Sequence, residues 1–249
     1  MIPYFTDGRI ELYNADCMEV LRETPPDTAG LVFSSPPYNV GKEYSDYKDS
    51  RPLEEYLDWI ESVFKECIRI LVPGGHLCIQ VSNLYRSPYI PLSHYIGTRM
   101  SKHIMMRGEI IWDQLDSGIS TAWGSYMQAN SPALRDTHEY IEVFRKEGDR
   151  KGITDITTAE FLQYTKPIWR IPPQSGKKEI GEHPAAFPIA LASRVIKLYS
   201  YIDEIVCDPF SGSGTTLRAA KNLKRRGLGI EISKKYCDTT VARLAQETM

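Results

Sequence analysis

The sequence has little cysteine and nothing that arranges it for chemistry. Its five cysteines stand at 17, 67, 78, 207 and 237 without a CxxC pair, so neither a zinc knuckle nor a dithiol redox site is expected. Scattered thiols in odd number fit reduced, mostly buried side chains in a reducing compartment. His76, His94, His103 and His138 show no pairing suggestive of metal ligation; they read as structural, and no metal is expected. No apolar run approaches the ~20 residues that cross a bilayer. The opening MIPYFTDGRIELYN also lacks the basic flank and apolar stretch of a secretory leader. The expected location is the cytoplasm, with no membrane partner. Repeats and low-complexity tracts are absent. So is an excess of positive charge: 30 Lys and Arg stand against 32 Asp and Glu, a net charge of −2. A whole surface that attracts nucleic acid is thereby disfavoured, and any such substrate would need basic residues gathered on one face.

What is present is an ordinary globular composition, 42% hydrophobic and 25% charged, patterned as strands alternating with helices. Strands are expected at 9–17, 29–35, 76–82, 107–113, 138–146, 204–210 and 227–232. Between them the 3.6-residue period marks helices over 18–24, 53–71, near 90–103, and over 185–200, 215–225 and 233–247. Pro73-Gly74-Gly75 should end the second helix, and 39–50 reads as a polar, mobile loop. Residues 147–182 have poor periodicity and four scattered breakers, Pro167, Pro172, Pro173 and Gly176, and read as an irregular insert. The order implies an α/β fold, a doubly wound, largely parallel sheet covered on both faces.

Between an apolar strand and a helix lies Asp208-Pro209-Phe210-Ser211-Gly212-Ser213-Gly214-Thr215-Thr216. Gly212 and Gly214 permit a tight turn and close backbone approach, and the following helix aims free N–H groups at a ligand. No Walker lysine accompanies the turn, so a phosphate cradle is not indicated. Glu231 ends the next strand, where a nucleoside-binding fold places an acid for the ribose hydroxyls; its other reading is a cap for the helix from Ser233. A third strand must flank this half-sheet, and the N-terminal strand ending at Asp16 can supply it. The two ends of the chain would then complete one nucleoside-binding half in permuted order. Asp16 on the adenine side competes with Asp16 as a simple N-cap.

Ser35-Pro36-Pro37-Tyr38 follows the strand that reaches the same sheet edge. Two prolines fix the backbone and supply no N–H, so the local groups are acceptors. An aromatic amine is a poor nucleophile because its lone pair is delocalised. Acceptors that hold its hydrogens favour a pyramidal nitrogen that can attack a sulfonium methyl. Tyr38 would stack on an extruded base. The alternative is a Pro-Pro loop with a packed tyrosine. A Pro-Cys nucleophile is missing, which disfavours methylation of a ring carbon.

Together these motifs resemble the amino-methylating DNA methyltransferases of restriction–modification systems, in the circularly permuted β class, with a Rossmann-like sheet. The resemblance spans most of the chain: Asn14–Cys17, Ser34–Asn39, PGG at 73–75, 107–113, 135–146, HPAAFP at 183–188, the glycine turn and 227–232. It implies S-adenosyl-L-methionine as cofactor, held by Asp16, Cys17, His183, Pro184, Asp208, Pro209, Phe210, Gly212, Ser213, Gly214, Thr215 and Glu231. It implies catalysis by Ser35, Pro36, Pro37 and Tyr38, and double-stranded DNA as substrate. SPPY generally accompanies N4-cytosine methylation and DPPY N6-adenine methylation, so Ser35 points to cytosine in a short specific sequence, with N6-adenine the alternative.

In that family the catalytic domain would be 1–146 with 183–249, and target recognition would fall in 147–182 with the loop 114–137. Lys42, Tyr44, Trp123, Arg150, Lys151, Lys166, Trp169 and Arg170 are its candidate DNA contacts; a solvated mixed face and packed tryptophans are the competing readings. A cognate restriction endonuclease would be a partner, and the enzyme a monomer or homodimer. An RNA or small-molecule methyltransferase and a non-catalytic nucleic-acid-binding regulator complete the alternatives.

Overall fold

The strands form because their apolar residues fill both faces of a covered sheet, and the helices because theirs fall on one stripe. In the computed structural model the described residues are 1–39, 51–84, 88–115, 124–125, 127–173 and 187–246, with the backbone of 43–44 and 47–48. Two strands, β1 (Phe5–Thr6) and β2 (Ile10–Asn14), lead to α1 (Cys17–Glu23) and then β3 (Ala29–Ser34), all six of whose residues are buried. A two-stranded ribbon, β4 (Glu43–Tyr44) with β5 (Tyr47–Lys48), precedes α2 (Leu53–Ile70). Helix α2 buries Tyr56, Leu57, Ile60, Val63, Phe64, Cys67 and Ile70 at helical spacing. It ends at Ile70, and the Pro-Gly-Gly lies near the start of β6 (Leu71–Val81), where Gly74 takes φ +77°. Then come α3 (Leu92–Met100), β7 (Met105–Asp113), β8 (His138–Arg145), α4 (Thr158–Tyr164), β9 (Ile168–Arg170), α5 (Ile189–Tyr199), β10 (Ile205–Asp208), α6 (Thr215–Asn222), β11 (Arg226–Glu231) and α7 (Lys234–Leu244).

The nine-stranded sheet has the order β1-β2-β11-β10-β3-β6-β8-β7-β9. From β2 to β6 every pair is parallel, whereas β8 runs antiparallel to both β6 and β7. Alternation along β3 sends Val32 to one core, with α1, α2 and α3, and Leu31 and Phe33 to the other, with α5 and α6. The expected permutation is present: β2 pairs with β11 from Gly227↔Ile10 to Glu231↔Asn14. All five cysteines are buried and free, as expected.

The stretch 147–173 is more ordered than its sequence periodicity implies. Thr157 and Glu160 form a reciprocal capping box that starts α4, and β9 extends the sheet by pairing parallel with β7. Upstream, Asp155 holds the fully buried guanidinium of Arg225 through two bonds of 2.7 and 2.8 Å. The reading as irregular therefore fails for 158–170, which holds α4 and β9, and stands for 147–157. Polar signals outweigh the missing apolar stripe: the capping box satisfies backbone locally, and Asp155 satisfies a buried charge 70 positions away.

Candidate active site

Parallel strands β10 and β3 are neighbours whose helices leave to opposite faces, so a crevice opens beyond their carboxyl ends. Asp208 and Ser34 meet there, Ser34 Oγ donating to Asp208 Oδ1 at 2.5 Å. The Phe210 amide donates to the same oxygen at 3.1 Å. Burial drives the Asp208 carboxyl up to about 6, and the Ser34 hydroxyl limits the rise. A bound cation would favour the ionised form.

The glycine turn is held from three sides. Gly212 and Gly214 have φ of +50° and +76°, conformations open to glycine at no steric cost. A Cβ at Gly214 would also lie 2.4 Å from Thr240 Cγ2. The Gly212 amide donates to Glu231 Oε2 at 2.8 Å, and the Ser233 amide to Glu231 Oε1 at 2.8 Å. From α7, Thr240 Oγ1 donates to Gly212 O, and buried Arg243 donates to Ser213 O, Ser213 Oγ and Thr215 Oγ1. The capping reading of Glu231 is thus real, but a carboxylate accepts about four hydrogen bonds, so receiving ribose hydroxyls is compatible with anchoring the turn.

Asp16 is likewise both things: it accepts from the Met18 amide at 2.8 Å as the cap of α1, and it stands exposed at the carboxyl edge. Next to it, the Ala15 amide donates to Glu231 O. Cys17 is different. Its thiol is buried in the core and pushed up to about 12, mainly by that burial, so only its backbone faces outward chemistry. The hydroxyls of Ser213 and Thr215 are turned to Arg243 rather than the crevice. Phe210 packs edge-on against Trp59 and Phe64 of α2. His183 and Pro184 lie outside the described residues.

The residues present fit S-adenosylmethionine. Glu231 suits its ribose, the Asp16 edge its adenine, and buried Asp208 its charged methionine end, while the amides of Phe210, Ser211, Gly212 and Gly214 are bonded within the protein and shape the turn. Ser211 Oγ, buried with no partner among the described residues, offers one more polar contact. Bound there, the cofactor supplies an electrophilic methyl on a sulfonium.

Beside this cradle, Pro36 is buried and Ser35, Pro37 and Tyr38 are half-buried. Ser35 Oγ lies 2.8 Å from the Tyr38 hydroxyl, which donates to Glu139 Oε2 at 3.1 Å. Gln80 Nε2 donates to the same oxygen and Gln114 Nε2 to Oε1 at 2.9 Å. Glu139, Gln80 and Gln114 are functional candidates that the sequence reading missed. The strands of Glu139 and Gln80 were found and Gln114 was read as the start of the loop 114–137, but nothing in a period-2 pattern tells which polar residue points at the catalytic loop.

The DNA candidates divide. Arg150 is bound to Gly74 O, Glu204 and Tyr199 O at the amino-terminal end of the sheet, so it braces the fold and, with neighbouring Lys151, sits opposite the crevice. Trp169 is 1% exposed, its indole donating to Tyr164 O and Lys166 O, so it is core rather than a base wedge. Lys166 and Arg170 are exposed, and Arg170 pairs with Asp113 at the carboxyl end of β7. Lys42, Trp123 and the Tyr44 side chain lie outside the described residues. Among the described residues no cluster suits a metal ion, and no helix is long and apolar enough to cross a membrane.

A permuted Rossmann-like sheet, with a nucleoside cradle and an acceptor loop at one switch point, defines the class of S-adenosylmethionine-dependent methyltransferases. Residues 29–242 match the model of the DNA methylase family that comprises N6 and N4 amino-methyltransferases. The chain belongs to that family and is a DNA methyltransferase acting on an amino nitrogen. It is 30% identical to the Type II methyltransferase M.ScaI of Streptomyces caespitosus, over 98% of this chain and 84% of that one. It is 27% identical to the DNA adenine methyltransferase YhdJ of Escherichia coli K12, over 94% and 82%. Among solved structures it resembles TTHA0409 of Thermus thermophilus in complex with S-adenosyl-L-methionine, with TM-score 0.75, 30% identity and coverage of 94% and 92%. It also shares the fold of the cytosine-N4-specific PvuII DNA methyltransferase, with TM-score 0.78, 21% identity and coverage of 99% and 90%.

Proposed function

We propose that this enzyme transfers the methyl of S-adenosylmethionine to N4 of cytosine in a short double-stranded DNA sequence, after extruding the base. The observation that carries the reading is Ser35-Pro36-Pro37-Tyr38 beside Asp208: a neutral hydroxyl and donor-free backbone next to the cradle. Acceptors there hold the amino hydrogens while the nitrogen lone pair meets the methyl. Similarity to YhdJ favours the second reading, adenine N6, which the same acceptors could serve.

Target recognition is assigned to 147–182 with the loop 114–137. Arg150 and Lys151 drop out of its contact surface, and Lys166 and Arg170 remain on it. Similarity to a Type II methyltransferase supports a restriction–modification role with a cognate endonuclease. The test is transfer of labelled methyl from S-adenosylmethionine to duplex DNAs of varied sequence, followed by digestion to nucleosides. N4-methylcytosine is expected. N6-methyladenine alone would overturn the base assignment.

A further inference from the structure

The hydroxyl of Ser35 can serve an amine only if its lone pairs, not its proton, face the substrate. A serine hydroxyl carries one donor and two acceptor sites, and a phenol carries one proton. At 2.8 Å the Ser35–Tyr38 contact can run in either direction. Run one way, Ser35 gives its proton to Tyr38 and keeps acceptors for the amine. Run the other way, the Ser35 proton is turned loose toward the amino hydrogens and repels them.

Glu139 settles the direction. Its carboxylate can only accept, so the single Tyr38 proton goes to Oε2 at 3.1 Å. The phenol oxygen is then left to accept from Ser35. Burial and the adjacent carboxylate hold the Tyr38 phenol well above its ordinary range, so that proton is always there to donate. Glu139 is itself fixed by two amides, Gln80 Nε2 of β6 and Gln114 Nε2 just beyond the end of β7. The Gln80 amide can face a carboxylate only through its nitrogen. Its Oε1 stays buried and has no partner among the described residues. The three donors, one from the catalytic loop, one from β6 and one just beyond β7, converge on one side chain at the start of β8.

We propose that Glu139 is a positioning residue that acts through Tyr38 to keep Ser35 Oγ an acceptor toward the target amine. It rests on the reading of Ser35 as the amine's acceptor. The role needs an accepting oxygen, not a negative charge. A glutamine at 139 can present its oxygen to Tyr38 and Gln80 while the Gln114 amide turns over to meet its nitrogen.

The test compares Glu139→Met, Glu139→Gln, Tyr38→Phe and the double variant Glu139→Met/Tyr38→Phe by single-turnover methyl transfer. Cofactor and DNA affinities are measured in parallel, and thermal unfolding checks the fold. Glu139→Met should lower kcat about 10–100-fold with KM for DNA and Kd for S-adenosylmethionine unchanged. Glu139→Gln should recover most of the rate. Tyr38→Phe keeps the ring and should lose about as much as Glu139→Met, and the double variant should be no worse than Tyr38→Phe alone. Losses that multiply in the double variant, or a Glu139→Gln as slow as Glu139→Met, would overturn the proposal while leaving Ser35 in place. A Ser35→Ala enzyme as fast as the wild type would instead overturn the reading beneath it, and the proposal with it.

Discussion

The two halves of the sheet edge are built by different means. On the cofactor side, β2, β11 and β10 carry a turn whose backbone shape is fixed from behind by Glu231, Thr240 and Arg243. On the base side, β3, β6, β8 and β7 present side chains, Ser35, Tyr38, Glu139, Gln80 and Gln114, that orient one another. A clamped backbone tolerates a loss of one side-chain bond by weakening as a unit. A chain of hydrogen bonds with a direction fails at any link.

The sharpest break in this contrast is Ser35→Ala. It should reduce kcat by about 10²–10³-fold with isothermal titration showing S-adenosylmethionine affinity unaltered; a cofactor defect of similar size would erase the distinction between the halves. Arg243→Met should do the reverse. Loss of its bonds to Ser213 and Thr215 is expected to cost about 3 kcal/mol in urea unfolding and roughly tenfold in cofactor affinity, with kcat at saturating cofactor retained.

Outside both sites, Glu142 on β8 is 1% exposed and faces Glu109 of β7. Burial first, then Glu109, pushes its carboxyl up to about 8. The native state therefore keeps a proton that the unfolded chain releases near pH 4.5. Stability from this group is complete below that pH, falls as pH rises, and is lost once pH passes the native value. Glu142→Gln should flatten the decline, its gain over wild type growing from about 2 kcal/mol at pH 6 to about 4 kcal/mol at pH 8, as read by urea unfolding at each pH. No change in slope would mean that Glu142 is ionised in the native protein. The smallest effect separates two arginines. Arg170→Ala should reduce the slope of log affinity for DNA against log salt by about 1, whereas Arg150→Ala should leave the slope alone and lower stability.

The geometry of the glycine-turn half was legible in the sequence because its demands are conformational. A turn with φ of +50° and +76° calls for glycines at 212 and 214, and a strand end calls for an acid at 231. Those residues advertise themselves. The base half was only half legible: Ser35 and the prolines stand in a row, but Glu139 comes from 101 positions away and needed the antiparallel placement of β8 to arrive. Arg150 and Trp169 were left open between two readings for a related reason. A cation or an indole near an insert resembles a nucleic-acid contact, and only the fold shows Arg150 at the far end of the sheet and Trp169 in the core. The capping box at Thr157 and Glu160 was in plain view, a short polar signal that starts α4 without any apolar stripe.

The pairing of Leu12 with Gly229 also bears on how the enzyme comes into being. Strand β2 is made before β3 to β10, yet its neighbour in the sheet, β11, is made only after β10. Closing so long a loop is slow compared with forming local hairpins and helices. Until then β2 lacks its parallel partner, and Asp16 has no Glu231 beside it. A nascent or truncated chain can therefore carry a finished acceptor loop and still have no place for the methyl donor. In an enzyme that marks DNA, the permuted order makes the late-made strand the one that arms it.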